Sequence, residues 1–228
     1  MVGDNLKSLY AKLPSAVKLV AVSKFHPVER LMEAYDAGQR VFGENRPQEL
    51  AAKVPLMPSD VEWHFIGHLQ TNKLKFVLPY ATMVQSVDSF HLLEAIDKWG
   101  SANGKVIDIL LELHLGAEET KHGFSEEEIL TLVRKAGEGI PSPAGVCLNS
   151  VRIRGLMGMA TNTEDEVVIE ADFARIESLF KRIRAEYPAL AETFTELSIG
   201  MSGDWPLAVK HGATMVRIGT DIFGPREY

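Results

Sequence analysis

A lysine stands at the end of the first apolar segment, where a strand is predicted to give way to a helix. Valine-rich residues 19–22 precede Ser23 and Lys24, and Pro27 then opens a helical pattern. In parallel α/β domains, ligands bind at the carboxyl ends of strands. A lysine held among apolar neighbours can present a neutral amine, which is a nucleophile. On this segment alone, a solvated lysine at a strand end is the commoner alternative.

Two later segments have the composition of an anion site. Residues 200–204 read Gly-Met-Ser-Gly-Asp and supply the hydroxyl of Ser202, a glycine that lets a ligand approach the backbone, and amides at a predicted helix start. Gly219 and Thr220 follow the last predicted strand with the same residue types. In (β/α)8 barrels, phosphate sites frequently lie in the loops after strands seven and eight. The alternative is that Ser202 or Asp204 only caps a helix and that Gly219 is a turn residue.

Arg217 lies two residues before Gly219, so the alternation of a strand puts both on the inner face. A buried arginine needs a partner. That partner is either a carboxylate, with Glu44 and Glu112 as candidates, or an atom of a ligand. Pyridoxal 5′-phosphate (PLP) needs an amine for its aldehyde, donors for its phosphate and a partner for its ring nitrogen. The lysine, the two loops and the arginine together match those needs.

These residues are far apart in the chain, so a fold must bring them together. The apolar runs predict eight strands that alternate with helices, which is typical of a parallel sheet buried on both faces. We predict one α/β domain over residues 1–228, a closed (β/α)8 TIM barrel, with an open doubly wound sheet as the alternative. The predicted strands cover residues 17–24, 40–45, 63–67, 83–87, 106–115, 153–159, 196–201 and 215–219. The predicted helices cover 4–13, 28–38, 71–78, 89–99 and 125–136, and others begin near 47, 163 and 206.

Two capping boxes predict the starts of two helices. Ser125 with Glu128 begins one, and Thr163 with Glu166 begins the other. The second helix carries an apolar stripe with the spacing of a helix that packs on a sheet. The members of this stripe are Ile169, Phe173, Ile176, Phe180 and Ile183.

Composition excludes several classes of protein. A net charge of −7 over 228 residues argues against nucleic acid or an anionic membrane as the main partner. The single cysteine, Cys147, lies in a predicted loop over 137–150, rules out an intrachain disulfide and fits a reducing compartment. Neither a signal-peptide core nor an apolar run long enough to span a bilayer is found. We therefore expect a cytoplasmic protein.

Histidines are the remaining candidate ligands. His64 and His68 are four residues apart at a predicted strand exit, so they could share a face. Without a cysteine or carboxylate that obviously joins them, we predict no metal site. The other histidines outside strand ends are interpreted as surface or loop residues: His26, His91, His122 and His211.

Several segments carry a resemblance that runs in order from the first strand to the last. They are residues 21–24 (Ala-Val-Ser-Lys), 42–45 (Phe-Gly-Glu-Asn), 63–67 (Trp-His-Phe-Ile-Gly), Leu69-Gln70, Asn72-Lys73, 155–157 (Gly-Leu-Met), 200–202 (Gly-Met-Ser), 215–220 (Met-Val-Arg-Ile-Gly-Thr) and 222–224 (Ile-Phe-Gly). By these motifs the chain resembles the pyridoxal phosphate homeostasis proteins, a family similar to the N-terminal barrel of alanine racemase. The resemblance implies a PLP-binding barrel.

The resemblance also implies roles for individual residues. Lys24 would hold PLP as a Schiff base, Arg217 would face the pyridine nitrogen, and Asn45 would lie beside the ring. The phosphate would be held by the two later loops, through Ser202, Gly219 and Thr220. Met201 belongs to the first of these loops and is also predicted to bind the cofactor, although its side chain is expected to pack at the rim. His114 stands where many members have asparagine.

The function is expected to be non-catalytic PLP binding in cofactor homeostasis, with a PLP-dependent amino-acid racemase as the alternative. An arginine opposite the ring nitrogen makes the ring a weaker electron sink than an aspartate does. Alanine racemases also use a tyrosine from an additional β-domain of a partner subunit. The chain runs only to Tyr228, so we expect that domain to be absent. Tyr228 or Tyr80 could substitute for the missing tyrosine, but nothing in the sequence places either residue there. We expect a monomer whose partners are PLP and PLP-dependent apoenzymes.

Overall fold

Eight parallel strands close into a barrel in their order along the chain, from β1 to β8. The computed structural model describes residues 1–116, 122–137 and 148–225. The strands are β1 (Lys18–Val22), β2 (Val41–Glu44), β3 (Glu62–Phe65), β4 (Met83–Val87), β5 (Ile107–Leu113), β6 (Val151–Gly158), β7 (Glu196–Ser198) and β8 (Met215–Ile218). Pairing of β1 with β8, from Lys18 opposite Met215 to Ala21 opposite Ile218, closes the ring. The predicted (β/α)8 barrel is confirmed, and the open sheet is wrong.

Helices connect and surround the strands. The α-helices of the described residues are α1 (Val2–Tyr10), α2 (Val28–Asp36), α3 (Pro47–Lys53), α4 (Phe90–Asn103), α5 (Glu126–Gly137), α6 (Glu166–Glu186), α7 (Pro188–Ala191), α8 (Trp205–Lys210) and α9 (Thr220–Phe223). Two 3₁₀-helices, Val54–Leu56 and Thr71–Phe76, complete the connections. The segment predicted as a helix over 71–78 is therefore 3₁₀. Within the described residues, no helix has both the length and the apolar character needed to cross a membrane.

The core has two parts. A large cluster lies between the outward faces of the strands and the helices, and it includes Phe42, Phe65, Phe173 and Phe194, none of which is exposed. A smaller cluster contains one residue from each of six strands, which is how the interior of a barrel is filled. Its members are Val20, Val41, Met83, Leu110, Met157 and Met215.

One predicted cap is correct and one is wrong. Ser125 N donates to Glu128 Oε2 (2.8 Å) and Glu128 N donates to Ser125 Oγ (3.2 Å), so the first capping box is confirmed. Helix α6, however, is capped by Asp165, whose Oδ1 accepts from Val167 N at 2.9 Å. Asp165 lies directly before the first helical residue, so its carboxylate reaches the first free amides and Thr163 lies two residues too early to do so.

The apolar stripe of α6 is nearly as predicted. Its buried members include Leu179, whereas Phe180 is only partly buried. Phe180 instead stacks on Phe194, with ring centroids 5.4 Å apart. Most of the loop predicted over 137–150, with Cys147, and the C-terminal Tyr228 lie outside the described residues.

Candidate functional site

The carboxyl ends of the strands surround a cavity of about 510 Å³. Every residue assigned to cofactor binding from the sequence lies in its wall: Lys24, Asn45, Met201, Ser202, Arg217, Gly219 and Thr220. The side chain of Met201, predicted to pack at the rim, is 38% exposed. His114, the departure from the family pattern, also lines the cavity. The barrel therefore brings together residues separated by nearly the whole chain.

Lys24 lies on a tight turn directly after β1. Ser23 N donates to Gly43 O (3.0 Å), and His26 N donates back to Ser23 O (3.1 Å). Phe25, next to the lysine, has a φ of 68°, which is a sparsely populated conformation for a residue with a side chain. The amide of Phe25 donates to Glu49 Oε1 at 2.7 Å, which helps to hold that conformation. Such backbone outliers concentrate at functional sites.

A buried group of charged side chains supports this turn from α3 and β2. We call it the lysine-side cluster, and its members are Ser23, Glu44, Glu49 and Lys53. Lys53 Nζ donates to Glu44 Oε1 (2.7 Å), Glu49 Oε1 (2.6 Å) and Ser23 O (2.8 Å). Ser23 Oγ donates to the same Glu44 oxygen at 2.5 Å. Burial raises the pKa of Glu44, and the charge of Lys53 opposes that shift. The sequence alone gave no signal that Lys53, on a short polar helix, is buried.

A second polar group runs through the barrel interior beneath the cavity. This core cluster consists of His64, Gln85, Ser198 and Arg217. Arg217 Nη1 donates to Ser198 O and Ser198 Oγ, both at 2.7 Å, and Nη2 donates to Gly158 O at 2.9 Å. Ser198 Oγ donates to Gln85 Oε1 (2.6 Å), and Gln85 Nε2 lies 2.7 Å from His64 Nδ1. These hydrogen bonds fix the Arg217 side chain in a position that faces the cavity.

Arg217 keeps its positive charge without a direct carboxylate partner. Burial lowers its pKa to about 10, partly offset by Glu112 and Asp204, so the guanidinium is cationic at neutral pH. In the described part of the chain it forms no salt bridge within 4.0 Å. Of the two alternatives left open by the sequence, the ion pair with Glu44 or Glu112 is therefore not formed. Glu44 is already paired with Lys53, and Glu112 acts only through longer-range electrostatics.

The loop after β7 leaves donors open to the cavity. Met201 N donates to Asp204 Oδ1 at 2.5 Å, and Asp204 N donates to Met201 O at 3.1 Å. Asp204 precedes α8, but its side chain closes this loop and makes no cap hydrogen bond to the helix. No hydrogen bond among the described residues uses the hydroxyl of Ser202 or the amides of Ser202 and Gly203. The helix-cap alternative therefore does not account for Ser202.

Glycine is required where β8 and β3 reach the cavity. A Cβ on Gly219 would lie 3.1 Å from Val22 O, so a side chain there would press on the end of β1. A Cβ on Gly67 would lie only 2.4 Å from Asn45 O. The close approach of Gly67 holds Asn45 in place, and Asn45 Oδ1 is buried with no hydrogen-bond partner among the described residues. Buried polar atoms are nearly always paired, so this oxygen is a candidate acceptor for a ligand.

Histidines fill another part of the cavity wall. His64 belongs to the core cluster, and burial lowers its pKa to about 3, so it does not share a site with His68 as considered from the sequence. His68 instead contacts Asp88, with Nδ1 2.8 Å from Oδ2. His122, interpreted as a surface residue, joins them from beyond β5 and lines the same cavity. Sequence reasoning missed this grouping; the positions of His68 and Asp88 directly after successive strands were the available signal.

Comparisons with known proteins agree with the geometry. The family model described as alanine racemase, N-terminal domain, matches residues 2–227. The pyridoxal phosphate homeostasis protein of Haemophilus influenzae is 37% identical over 217 residues, covering 94% of this chain and 87% of the relative. The protein of the same name from Escherichia coli is 34% identical over 220 residues, covering 94% and 88%.

Solved structures extend this comparison. PipY of Synechococcus elongatus PCC7942 without PLP superposes with a TM-score of 0.89 at 37% identity, covering 98% of this chain and 100% of that one. PipY with PLP bound gives a TM-score of 0.85 at 36% identity, with the same coverage. Alanine racemase from E. faecalis shares the fold, with a TM-score of 0.72 at 17% identity, and this chain covers 57% of it. The resemblance read from the motifs is thus confirmed, and the chain belongs to the family of the pyridoxal phosphate homeostasis proteins.

Proposed function

We propose that this chain binds PLP and serves in PLP homeostasis without catalysing a reaction of its own. The observation that carries the proposal is the gathering of Lys24, Arg217 and the two late loops around one cavity. PipY, 36% identical, has been solved with PLP bound, which supports the same ligand here.

The residues present fit the cofactor. Lys24 supplies the amine for covalent attachment, and the donors of Ser202, Gly203 and Thr220 suit a phosphate. The orphaned Asn45 Oδ1 accepts a hydrogen bond from a polar group beside the ring. Bound PLP would supply an electrophilic carbon and an electron-withdrawing ring.

Two features support a carrier over a racemase. The cationic guanidinium of Arg217 would offer the ring nitrogen no proton acceptor, which makes the ring a weaker electron sink; racemases of similar design tolerate this but need a second acid/base group. Among the described residues that line the cavity, none is a tyrosine, and Tyr80 is not one of the lining residues. Residues that could hold the cofactor are thus present, whereas the tyrosine that alanine racemases use as a second acid/base group has no counterpart in the described wall.

The finer parts of the proposal rest on the sequence. We propose a single-domain monomer in the cytoplasm, because the lone cysteine suits a reducing compartment. We also propose that it passes PLP to PLP-dependent apoenzymes and interacts with neither nucleic acid nor membrane.

The covalent part is tested with purified protein and added PLP. The Lys24→Ala variant should lose the visible absorption of the bound cofactor and should lose most PLP on gel filtration. Lys98→Ala, which removes an exposed lysine from α4, should behave like the parent protein. Retention of the same absorption in Lys24→Ala would mean that another lysine attaches the cofactor.

The racemase alternative has its own test. The PLP-loaded chain, incubated with L-alanine and other amino acids, should produce the D-enantiomer no faster than free PLP does. Steady racemisation well above that rate would overturn the non-catalytic assignment while leaving PLP binding intact.

A further inference from the structure

His68, Asp88 and His122 form a compact group whose chemistry the proposed function does not use. One ring nitrogen of each histidine and one carboxylate oxygen of Asp88 all lie within 4.8 Å of one another. His68 Nδ1 is 2.8 Å and His122 Nδ1 is 3.8 Å from the same Asp88 oxygen. The two imidazole rings stack, with centroids 4.0 Å apart. Three potential ligand atoms thus lie together in one small volume.

Separate elements hold the first two members. His68 follows β3, where Ser86 Oγ donates a hydrogen bond to the neighbouring Gly67 O. Asp88 lies between β4 and the start of α4, where Ser89 Oγ accepts from Leu92 N at 3.3 Å. Both backbones are therefore fixed before any ligand is bound.

The third member is held by a glycine. Gly123 has a φ of +128°, and a Cβ there would lie 2.8 Å from His114 N. This close approach lets the segment pair with β5: Phe124 N donates to Glu112 O (2.8 Å), and His114 N donates to Phe124 O (2.9 Å). His122 is thereby brought beside His68, although the two residues are 54 positions apart in the sequence.

The local charge favours a cation. The Asp88 side chain is only 6% exposed, and its ion-pair partners among the described residues are the two histidines. One mostly buried carboxylate thus faces two imidazoles that are neutral in their unprotonated form. A bound cation would offset this negative charge.

We propose that His68, Asp88 and His122 bind a Zn²⁺ ion with one coordination position open to the cavity. Two imidazole nitrogens and a carboxylate suit Zn²⁺, whereas Mg²⁺ and Ca²⁺ prefer oxygen ligands. Zn–N and Zn–O bonds of about 2.0–2.1 Å place ligand atoms roughly 3.3 Å apart in a tetrahedral site. The two observed distances to Asp88 Oδ2, 2.8 and 3.8 Å, lie on either side of that value.

The open position follows from the surroundings. His68 and His122 line the same cavity as Lys24, and both are partly exposed. Three protein ligands with solvent at the fourth position are typical of zinc sites that exchange a ligand. An anionic group of a small molecule entering the cavity would have access to the ion.

Zinc itself is the probe in the test, with the full chain prepared without a histidine tag and freed of metal and PLP. Titration calorimetry should give one Zn²⁺ per chain, with a dissociation constant in the micromolar range or lower. His68→Ala and His122→Ala should each weaken binding by more than about tenfold, since even loss of a second-shell partner commonly does so. His91→Ala, a matched loss of an exposed histidine from α4, should leave the affinity unchanged.

Cobalt gives a second readout of the same site. Co²⁺ bound by the parent chain should show the visible absorption of a four-coordinate ion, and His122→Ala should abolish that absorption. Circular dichroism of each variant verifies that the fold is retained; His122 is 60% exposed, so its removal is tolerated. Absence of stoichiometric binding, or an equal loss in His91→Ala, would overturn the proposal. This inference does not rest on the proposed function, because Zn²⁺ binding is measured without PLP and PLP binding without Zn²⁺.

Discussion

The two buried polar clusters of this barrel differ in whether their charged side chains form ion pairs. In the lysine-side cluster, Lys53 lies within 2.7 Å of both Glu44 and Glu49, so cation and anions compensate each other locally. In the core cluster, Arg217 donates only to the neutral oxygens of Ser198 and Gly158. The first cluster is therefore an internally ion-paired support for the turn that carries Lys24. The second leaves a cation without a direct ion pair at the cavity floor, which is the arrangement expected of a residue that faces a ligand.

The largest effect should follow from opening the lysine-side cluster. In Lys53→Met the fully buried Glu44 loses its cation, and breaking a buried pair from one side costs about 3–5 kcal/mol in the free energy of unfolding. Urea unfolding of the PLP-free protein measures this cost. The matched control is Lys181→Met. Lys181 forms an i,i+4 pair with Glu177 and its side chain is 71% exposed, so its loss should cost no more than about 0.5 kcal/mol in the free energy of unfolding.

A double variant tests whether this loss of stability comes from the unpaired charge of Glu44. Lys53→Met with Glu44→Gln removes both charges, so most of the lost stability should return. Equal destabilisation in the single and double variants would show that the lysine matters through packing, and the description of a charge-compensated cluster would be abandoned.

The next effect concerns Glu112, one of two carboxylates whose charge acts on Arg217. Its pKa is raised from 4.5 to about 7, with burial as the main cause. The native state therefore keeps a proton that the unfolded chain has released, and stability falls as pH rises from about 4.5 to about 7. Glu112→Gln should remove this fall and gain on the order of 3 kcal/mol at pH 8, with little change at pH 4.5.

Denaturant titrations of parent and Glu112→Gln across this pH range measure the difference. If Glu112 were instead the true counter-ion of Arg217, the variant would be less stable than the parent at pH 8, and the contrast between the two clusters would fail.

A smaller loss of stability is expected from Arg217→Met. The variant leaves neutral acceptors without a donor, which costs about 1–3 kcal/mol, less than an unpaired buried carboxylate. Its effect on PLP should be larger: the absorption of the bound cofactor should shift and retention on gel filtration should fall. A cost above that of Lys53→Met, together with unchanged PLP binding, would assign Arg217 a purely structural role.

The order of the strands and helices, and the proposed cofactor-binding residues that line the cavity, could be predicted from the sequence. Apolar strands give a local, periodic signal, and the topology of a barrel then brings the strand ends together. The cap of α6 did not: Thr163 with Glu166 satisfies the capping pattern, but Asp165 stands closer to the first free amides and forms the cap. Such choices depend on backbone path, which the pattern of residue types does not contain.

Long-range polar pairing was the other limit. The sequence left Glu44 open as a partner for Arg217, but Lys53, nine residues further along, pairs with it. His122 reaches Asp88 only because Gly123 adopts a positive φ against the end of β5. Both pairings depend on how loops and helices pack on the barrel, so neither could be predicted from the spacing of residues along the chain.

The most direct test of the account is to identify the residue that carries the cofactor. The chain loaded with PLP is reduced with borohydride, which makes the covalent link permanent, and the digested peptides are analysed by mass spectrometry. We predict one phosphopyridoxyl group per chain, on Lys24, and its absence from the Lys24→Ala variant. Modification of another lysine in the parent chain, with Lys24 unmodified, would contradict the central claim.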